Sequence, residues 1–215
     1  MTMNTEDVIK SLSRDLTPVR RGALAKRIGL GVIVGGLATM AAVTAILGIR
    51  PDLHVAMQGF SFWMKWTYTI SLGVGAVFAV TRLARPVPHS LTGLWFLAIP
   101  VLVLAGIGIV ELAITPPAKW LAMWLGKSWM VCPWLVLSLA APIFIGLLWS
   151  FRKLAPTRLR AAGAAAGLAA GAWAATIYCL HCPEVSAIFV LTWYSLGIAL
   201  AAGVGALVGP RLLRW

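Results

Sequence analysis

Toward its C-terminal end the chain reads Tyr178-Cys179-Leu180-His181-Cys182-Pro183-Glu184, a short polar interruption between apolar runs at 161–180 and 185–208. Each run has the length of about 20 residues that an α-helix needs to cross the hydrocarbon core of a bilayer. The stretch therefore reads as a turn between two membrane spans. Four further apolar runs lie upstream, at 28–49, 62–80, 91–114 and 129–151. The expected fold is an all-α integral membrane protein. It has a hydrophilic N-terminal segment (1–27), a six-helix transmembrane bundle (28–209) and a short tail (210–215).

Composition supports this reading. Of 215 residues, 60% are hydrophobic and 11% charged, and the mean hydropathy is +0.91. Soluble globular chains carry roughly 25% charged residues. A formal charge of +12 in a soluble protein would point to nucleic acid. In a membrane protein it reflects Lys and Arg gathered at the cytoplasmic ends of the spans, so the bilayer is the expected surrounding and direct nucleic-acid binding is not expected. The first apolar run is too long for a signal peptide, and no clean cleavage site follows it.

The basic residues orient the bundle. Fourteen of them fall on the side of the termini, in the N-terminal segment, around Arg82 and Arg85, between Arg152 and Arg160, and at Arg211 and Arg214. Arg50, Lys65, Lys119 and Lys127 fall on the other side. Basic loops stay in the cytoplasm, which puts both termini there and makes a bacterial inner membrane the expected location. Trp63, Trp66, Trp120, Trp124, Trp129 and Trp134 then gather at the outer interface, with Trp120 and Trp124 one turn apart as in an interfacial helix.

In the N-terminal segment Val8, Ile9, Leu12 and Leu16 recur at helical spacing, with charged residues between them. Thr5 suits an N-cap, and Pro18 disfavours helix at Thr17. Such a short amphipathic helix is marginal alone and needs a surface, either a lipid headgroup layer or a protein groove. In the fifth span Gly163, Gly167 and Gly171 form a small-residue stripe; Gly31 and Gly35, and Gly205 and Gly209, repeat the spacing. Small residues let helix backbones approach closely in lipid, so the fifth span is expected at the centre.

The reactive side chains gather at the outer end: Cys132, Cys179, Cys182, His54, His181, Asp52, Glu111 and Glu184. Cys132-Pro133 and Cys182-Pro183 each stand at the start of a span, where Pro is tolerated and the helix dipole favours a thiolate. Three uses of these groups stay open. One is a disulfide in an oxidising compartment. Another is a soft or borderline metal held by Cys132, Cys179, His181, Cys182, Glu184 or Glu111. The third is a redox dithiol at Cys179-Leu180-His181-Cys182, which would make the protein a membrane thiol-disulfide oxidoreductase. Cysteines that simply pack are the plain alternative. Glu111, near the outer end of the third span, is either a functional intramembrane carboxylate or one that reaches the interface. No span carries a charge near its middle, and no Ser/His/Asp set, phosphate loop or H-E-x-x-H motif is present. Neither an enzyme nor a cofactor is expected.

Leu16-Thr17-Pro18-Val19-Arg20, Cys132-Pro133, and Leu180-His181-Cys182-Pro183-Glu184 with Phe189 and Trp193-Tyr194 resemble the NrsF-type (negative regulator of sigma F, OsrA-like) membrane anti-sigma factors. The resemblance covers nearly the whole chain. It implies six spans, an extracytoplasmic-function sigma factor as cytoplasmic partner, and a signal-responsive periplasmic cysteine pair, here Cys132 and Cys182 with His181 and Glu184 beside Cys182. Cys179 lies outside the family pattern. A cytoplasmic amphipathic segment suits the holding of such a partner, through Val8, Ile9, Leu12, Leu16 and Pro18. Thiols on the far face suit a trigger by a thiol-directed metal or oxidant.

Overall fold

The computed structural model describes residues 5, 6, 9, 22–84, 95–151 and 156–213. Six long helices follow one another: α1 (Ala23–Leu47), α2 (Phe60–Leu83), α3 (Trp95–Ile114), α4 (Cys132–Phe151), α5 (Leu159–Tyr178) and α6 (Ala187–Leu212). Five of them are long and apolar enough to cross a membrane. The exception is α2, whose 24 residues match the others in length but include Ser61, Lys65, Thr67, Tyr68, Thr69 and Ser71. Large apolar side chains such as Leu37, Ile46, Phe96, Ile114 and Leu207 face outward, a surface suited to lipid. Among the described residues there are no strands.

The glycine stripe does what its spacing promised. The hub is α5, whose apolar window is 72% buried against 11% for α3, and it packs on α6, α2 and α4. At Gly163 and Gly167 the backbone of α5 touches the backbone of α6 at Gly205, Ala201 and Gly209, leaving no room for a Cβ. A second close pair joins α1 to α4, where Gly31 meets Gly146 and Gly35 meets Pro142 and Ile143. Thr39 Oγ1 donates to Leu139 O at 3.0 Å and Ser150 Oγ to Arg27 O at 2.9 Å along the same contact. Helix α3 lies outside, against α2 and the first turn of α6.

Two π-helical turns interrupt the regular winding, Val43–Leu47 at the end of α1 and Val190–Tyr194 near the start of α6. The second brings the fully buried Tyr194 against Tyr178 of α5, ring centroids 5.7 Å apart. A short helix forms at Trp120–Leu125, with Trp193 Nε1 donating to Trp124 O at 2.7 Å.

Helix α1 begins ahead of the apolar run at 28–49, at Ala23. Of residues 1–21 only Thr5, Glu6 and Ile9 are described; they are helical, and Ile9 is exposed. Val8, Leu12, Leu16 and Pro18 lie outside the described residues.

Candidate functional site

Cys132, Cys179, Cys182, His181, Glu111 and Glu184 lie at one end of the bundle, around the turn between α5 and α6. Here α5 ends in a tightened turn: His181 N and Cys182 N both donate to Tyr178 O, at 2.9 and 3.0 Å. The next helix begins only at Ala187. Cys182-Pro183 therefore does not open the sixth helix, and Cys182 is not at its positive end. The N-cap is Ser186, whose Oγ accepts from Phe189 N at 3.5 Å. Cys132, by contrast, is the first residue of α4 with Pro133 next to it, as its sequence suggested.

Glu111 completes the cap of α6. Its Oε2 accepts from Ser186 Oγ at 3.0 Å, Ala187 N at 2.8 Å and Ile188 N at 3.4 Å. A carboxylate at the positive end of a helix satisfies free N–H groups and is favoured by the helix dipole. Its place near the bundle end thus serves the start of α6 from a position 75 residues away in sequence.

Glu184 has a parallel task. Its Oε1 accepts from Lys127 N at 2.7 Å, Ser128 N at 3.1 Å and Ser128 Oγ at 3.1 Å. The turn before α4, which carries Cys132, is thereby tied to the turn that carries Cys182. Gly126 enters this turn at φ +56°, where a side chain would be strained and a Cβ would lie 2.6 Å from Glu184 Oε2. Glu184→Ala leaves two amides and a hydroxyl without their acceptor, an expected cost of about 2 kcal/mol after partial rescue by water. Faster hydrogen exchange at Lys127 and Ser128 checks it, and Glu184→Gln, which keeps one carbonyl oxygen, is expected to exchange at close to the parent rate.

His181 and Arg50 fasten the same turn to the end of α1. The His181 ring donates from Nδ1 to Gly48 O at 2.8 Å, and Arg50 N donates to Leu180 O at 3.1 Å. Arg50 Nη1 also reaches Cys182 O at 3.5 Å. Its side chain is paired with Asp52 through two hydrogen bonds at 2.6 and 2.8 Å, which raises the Arg50 pKa and lowers that of Asp52.

Beneath the turn lie the thiols. Cys132, Cys179 and Cys182 are all completely buried and not bonded to one another. Cys132 faces Cys182, and the phenols of Tyr178 and Tyr194 close the cluster. The buried Tyr194 hydroxyl lies beside the sulfurs of Cys179 and Cys182. Two of the thiols lie outside the spanning helices and behave oppositely. The neighbouring Cys132 thiol, able to donate to a thiolate, holds the Cys182 pKa below its ordinary value, and the Lys65 ammonium and Tyr194 add to this against the opposing effect of burial. Burial pushes the Cys179 thiol up to about 12. A C-x-x-C exchange partner needs accessible thiolate, and Cys179 has neither the exposure nor the charge.

Lys65 is the residue that sequence reasoning missed. Counted there on the side away from the termini, it is buried in α2 at 1% exposure, with Nζ donating to Glu184 O at 2.6 Å and Cys182 O at 3.1 Å. A lone cation three residues into an apolar run was the available signal. Among the described residues no three His, Cys, Asp or Glu side chains form a metal-binding group. His181, Glu184 and Glu111 each have structural partners instead. Of the expected set, only Cys132, Cys179 and Cys182 remain as close neighbours.

These features define a helical bundle with a buried thiol cluster braced by cations and carboxylates. Comparison with known proteins places it. The family described as "NrsF: Negative regulator of sigma F" matches residues 12–215. The chain belongs to this family of regulatory proteins. It is 39% identical over 213 residues to the "Probable anti-sigma-F factor NrsF" of Azospira oryzae, covering 99% of this chain and 100% of that protein. It is 38% identical over 215 residues to the "Anti-sigma-F factor NrsF" of Caulobacter vibrioides, again covering 99% of this chain and all of that protein. No solved structure matches the chain.

Proposed function

We propose that this protein is a membrane-embedded anti-sigma factor of six spans, with both termini in the cytoplasm of a bacterial cell and the thiol cluster facing the periplasm. Its partner is a sigma factor of the extracytoplasmic-function class, held at the inner membrane and away from RNA polymerase. Val8, Ile9, Leu12, Leu16 and Pro18 of the N-terminal segment form the docking stripe. A thiol-directed metal or oxidant acting on Cys132 and Cys182 releases the partner. A signal releases it only to the extent that it binds or modifies the two states of the bundle differently.

The observation that carries this reading is membership of the family over residues 12–215, together with a thiol pair that joins the start of α4 to the turn between α5 and α6. Cys132 opens α4, and Cys182 sits on the turn after α5. Chemistry between them acts on two helices at once. Five helices apolar enough to cross a membrane support the location.

The test is direct. The full chain, solubilised in mild detergent, is expected to co-purify with the sigma factor encoded beside it or matched to it by screening. A version lacking residues 1–20 is expected to lose that partner while still inserting normally. Retention of the partner by the shortened chain would sink the assignment of the docking stripe.

A further inference from the structure

Helix α3 stands away from α2 over most of its length. It is the least buried of the five apolar helices and is held near its two ends. At one end Leu97 sits over Gly75, 2.7 Å from where a Cβ would lie, and at the other Ile188 of α6 packs on Gly108. Between these seats α2 and α3 enclose a cavity of about 700 Å³. On α2 its wall is Trp63, Thr67, Ser71 and Gly75, each one turn from the next. Opposite them Phe96, Ile99, Val103 and Ile107 of α3 supply only apolar surface. The cavity reaches from Phe60 to Gly75, about 22 Å at 1.5 Å per residue.

Two hydroxyls in this wall differ from others on the helices. Thr44, Thr69, Ser138, Thr176 and Thr192 donate to the carbonyl one turn back, the bond that ordinarily satisfies a helical hydroxyl in lipid. Thr67 and Ser71 are exposed to the cavity, and neither hydroxyl has a hydrogen-bond partner among the described residues. The other polar groups at the cavity are engaged. Trp63 Nε1 donates to Met57 O at 2.7 Å, and the Tyr68 hydroxyl meets Ser195 Oγ at 2.6 Å. Thr67 and Ser71 are thus two donors, about 6 Å apart along the helix, that lack acceptors.

We propose that this cavity binds an isoprenoid quinone, its two ring carbonyls accepting from Thr67 and Ser71 and its tail lying along α3. The inference rests on the six-span reading, which puts both helices in lipid. The dimensions exclude a helix as occupant: one of about 10 Å diameter over that length fills about 1,700 Å³, more than twice the space. An acyl chain fits the volume but brings no acceptor to the hydroxyls. Thr67 and Ser71 lie roughly 11 and 17 Å from the Phe60 end, deep in a hydrocarbon core about 30 Å thick. The ester carbonyls of a phospholipid stay at its boundary. A quinone enters the core, carries acceptors on opposite sides of a flat ring, and offers that ring to Trp63 and Tyr68. An apolar cavity with a few placed polar groups suits such a molecule.

The test uses the full chain in nanodiscs of phosphatidylcholine and phosphatidylglycerol, with an azido-ubiquinone photoprobe. Labelling is expected to map to residues 60–75 and 96–107 and to be displaced by unlabelled ubiquinone-2. Thr67→Val with Ser71→Ala nearly preserves side-chain size and removes both donors. It is expected to weaken quinone binding about ten-fold or more, and to leave labelling by a phosphatidylcholine with a photoreactive acyl chain unchanged. Labelling elsewhere, no displacement by ubiquinone-2, or equal quinone affinity in the double variant overturns the proposal and leaves the cavity to lipid. Should the double variant fail to accumulate, Val103→Trp, which fills the cavity from α3, decides. Loss of displaceable labelling supports the proposal, and its retention overturns it. Gln58→Cys and Arg82→Cys read the span separately through a membrane-impermeant thiol reagent. Modification from opposite sides without quinone labelling overturns this proposal alone; modification from one side overturns the six-span reading with it.

Discussion

Gly167→Val is expected to abolish accumulation of the folded bundle. A Cβ at this position falls 2.9 Å from Ala202 Cα and closer still to the Ala201 carbonyl. Those are backbone atoms, so no side-chain rotation makes room. Overpacking of a core commonly costs about 1–3 kcal/mol where neighbours can adjust. Here α5 and α6 must separate along their shared face, which also contains Gly163, Gly205 and Gly209. The expected loss is therefore about 3 kcal/mol or more, a large part of the stability of a marginally stable protein. Gly203 is the matched control. It lies on α6, where an added Cβ would meet nothing within 4 Å, and Gly203→Val is expected to change stability by about 0.5 kcal/mol or less. Thermal unfolding in detergent, read alongside the amount of protein in the membrane, checks both. Equal behaviour of the two variants would contradict the packing.

Serine at both Cys132 and Cys182 is expected to make a sigma-dependent reporter unresponsive to cadmium and to thiol oxidants. The substitution keeps side-chain size and hydrogen-bonding capacity close to those of cysteine, so the cluster stays filled. It removes the features a signal needs: a hydroxyl forms no disulfide, and it is a poor ligand for soft metals. The response should fall to the background of a strain that lacks the signal altogether. Cys179→Ser is expected to retain at least half of the response, because the Cys179 thiol is held neutral by burial. Basal repression should survive in both, since the proposed docking stripe lies in the N-terminal segment. A normal response in the double variant would remove cysteine sensing, and a lost response in Cys179→Ser would move it to the C-x-x-C.

Much of the fold was legible because its cause is local. Five of the six runs announce themselves by uninterrupted apolar length, and the central position of α5 follows from Gly163, Gly167 and Gly171 in one register. The gathering of Cys, His and Glu at one end followed from alternation of the spans. What stayed hidden depends on contacts made across the sequence. Pro183 has the look of a first helical residue, yet α6 starts at Ala187 because Glu111 and Ser186 supply its cap. The acidic and imidazole groups looked like metal ligands by type. Backbone amides and a carbonyl occupy them instead. Lys65 served in the sequence only as one of the basic residues that orient the bundle, whereas its carbonyl partners at 182 and 184 are more than a hundred residues away. Tyr178 and Tyr194 resemble ordinary aromatic filling until the π-turn at Val190–Tyr194 brings the second against the first.

The bonds from Arg50 and His181 to the cysteine turn give α1 a mechanical meaning. Arg50 N holds Leu180 O, and His181 holds Gly48 O, immediately beyond the last residue of α1. The helix runs 25 residues from there to Ala23, a rigid arm of roughly 37 Å at 1.5 Å per residue. Its fulcrum is the close seat on α4 at Gly31 and Gly35, nearer the Ala23 end. A tilt of about 5° over that full length sweeps one end through about 3 Å relative to the other. At that seat Thr39 Oγ1 and Ser150 Oγ bond the facing backbone, so a displacement of one end of the arm is carried past a fixed point to the other. A sub-ångström rearrangement of sulfur chemistry is thus joined, through two hydrogen bonds and one stiff rod, to the root of the N-terminal segment.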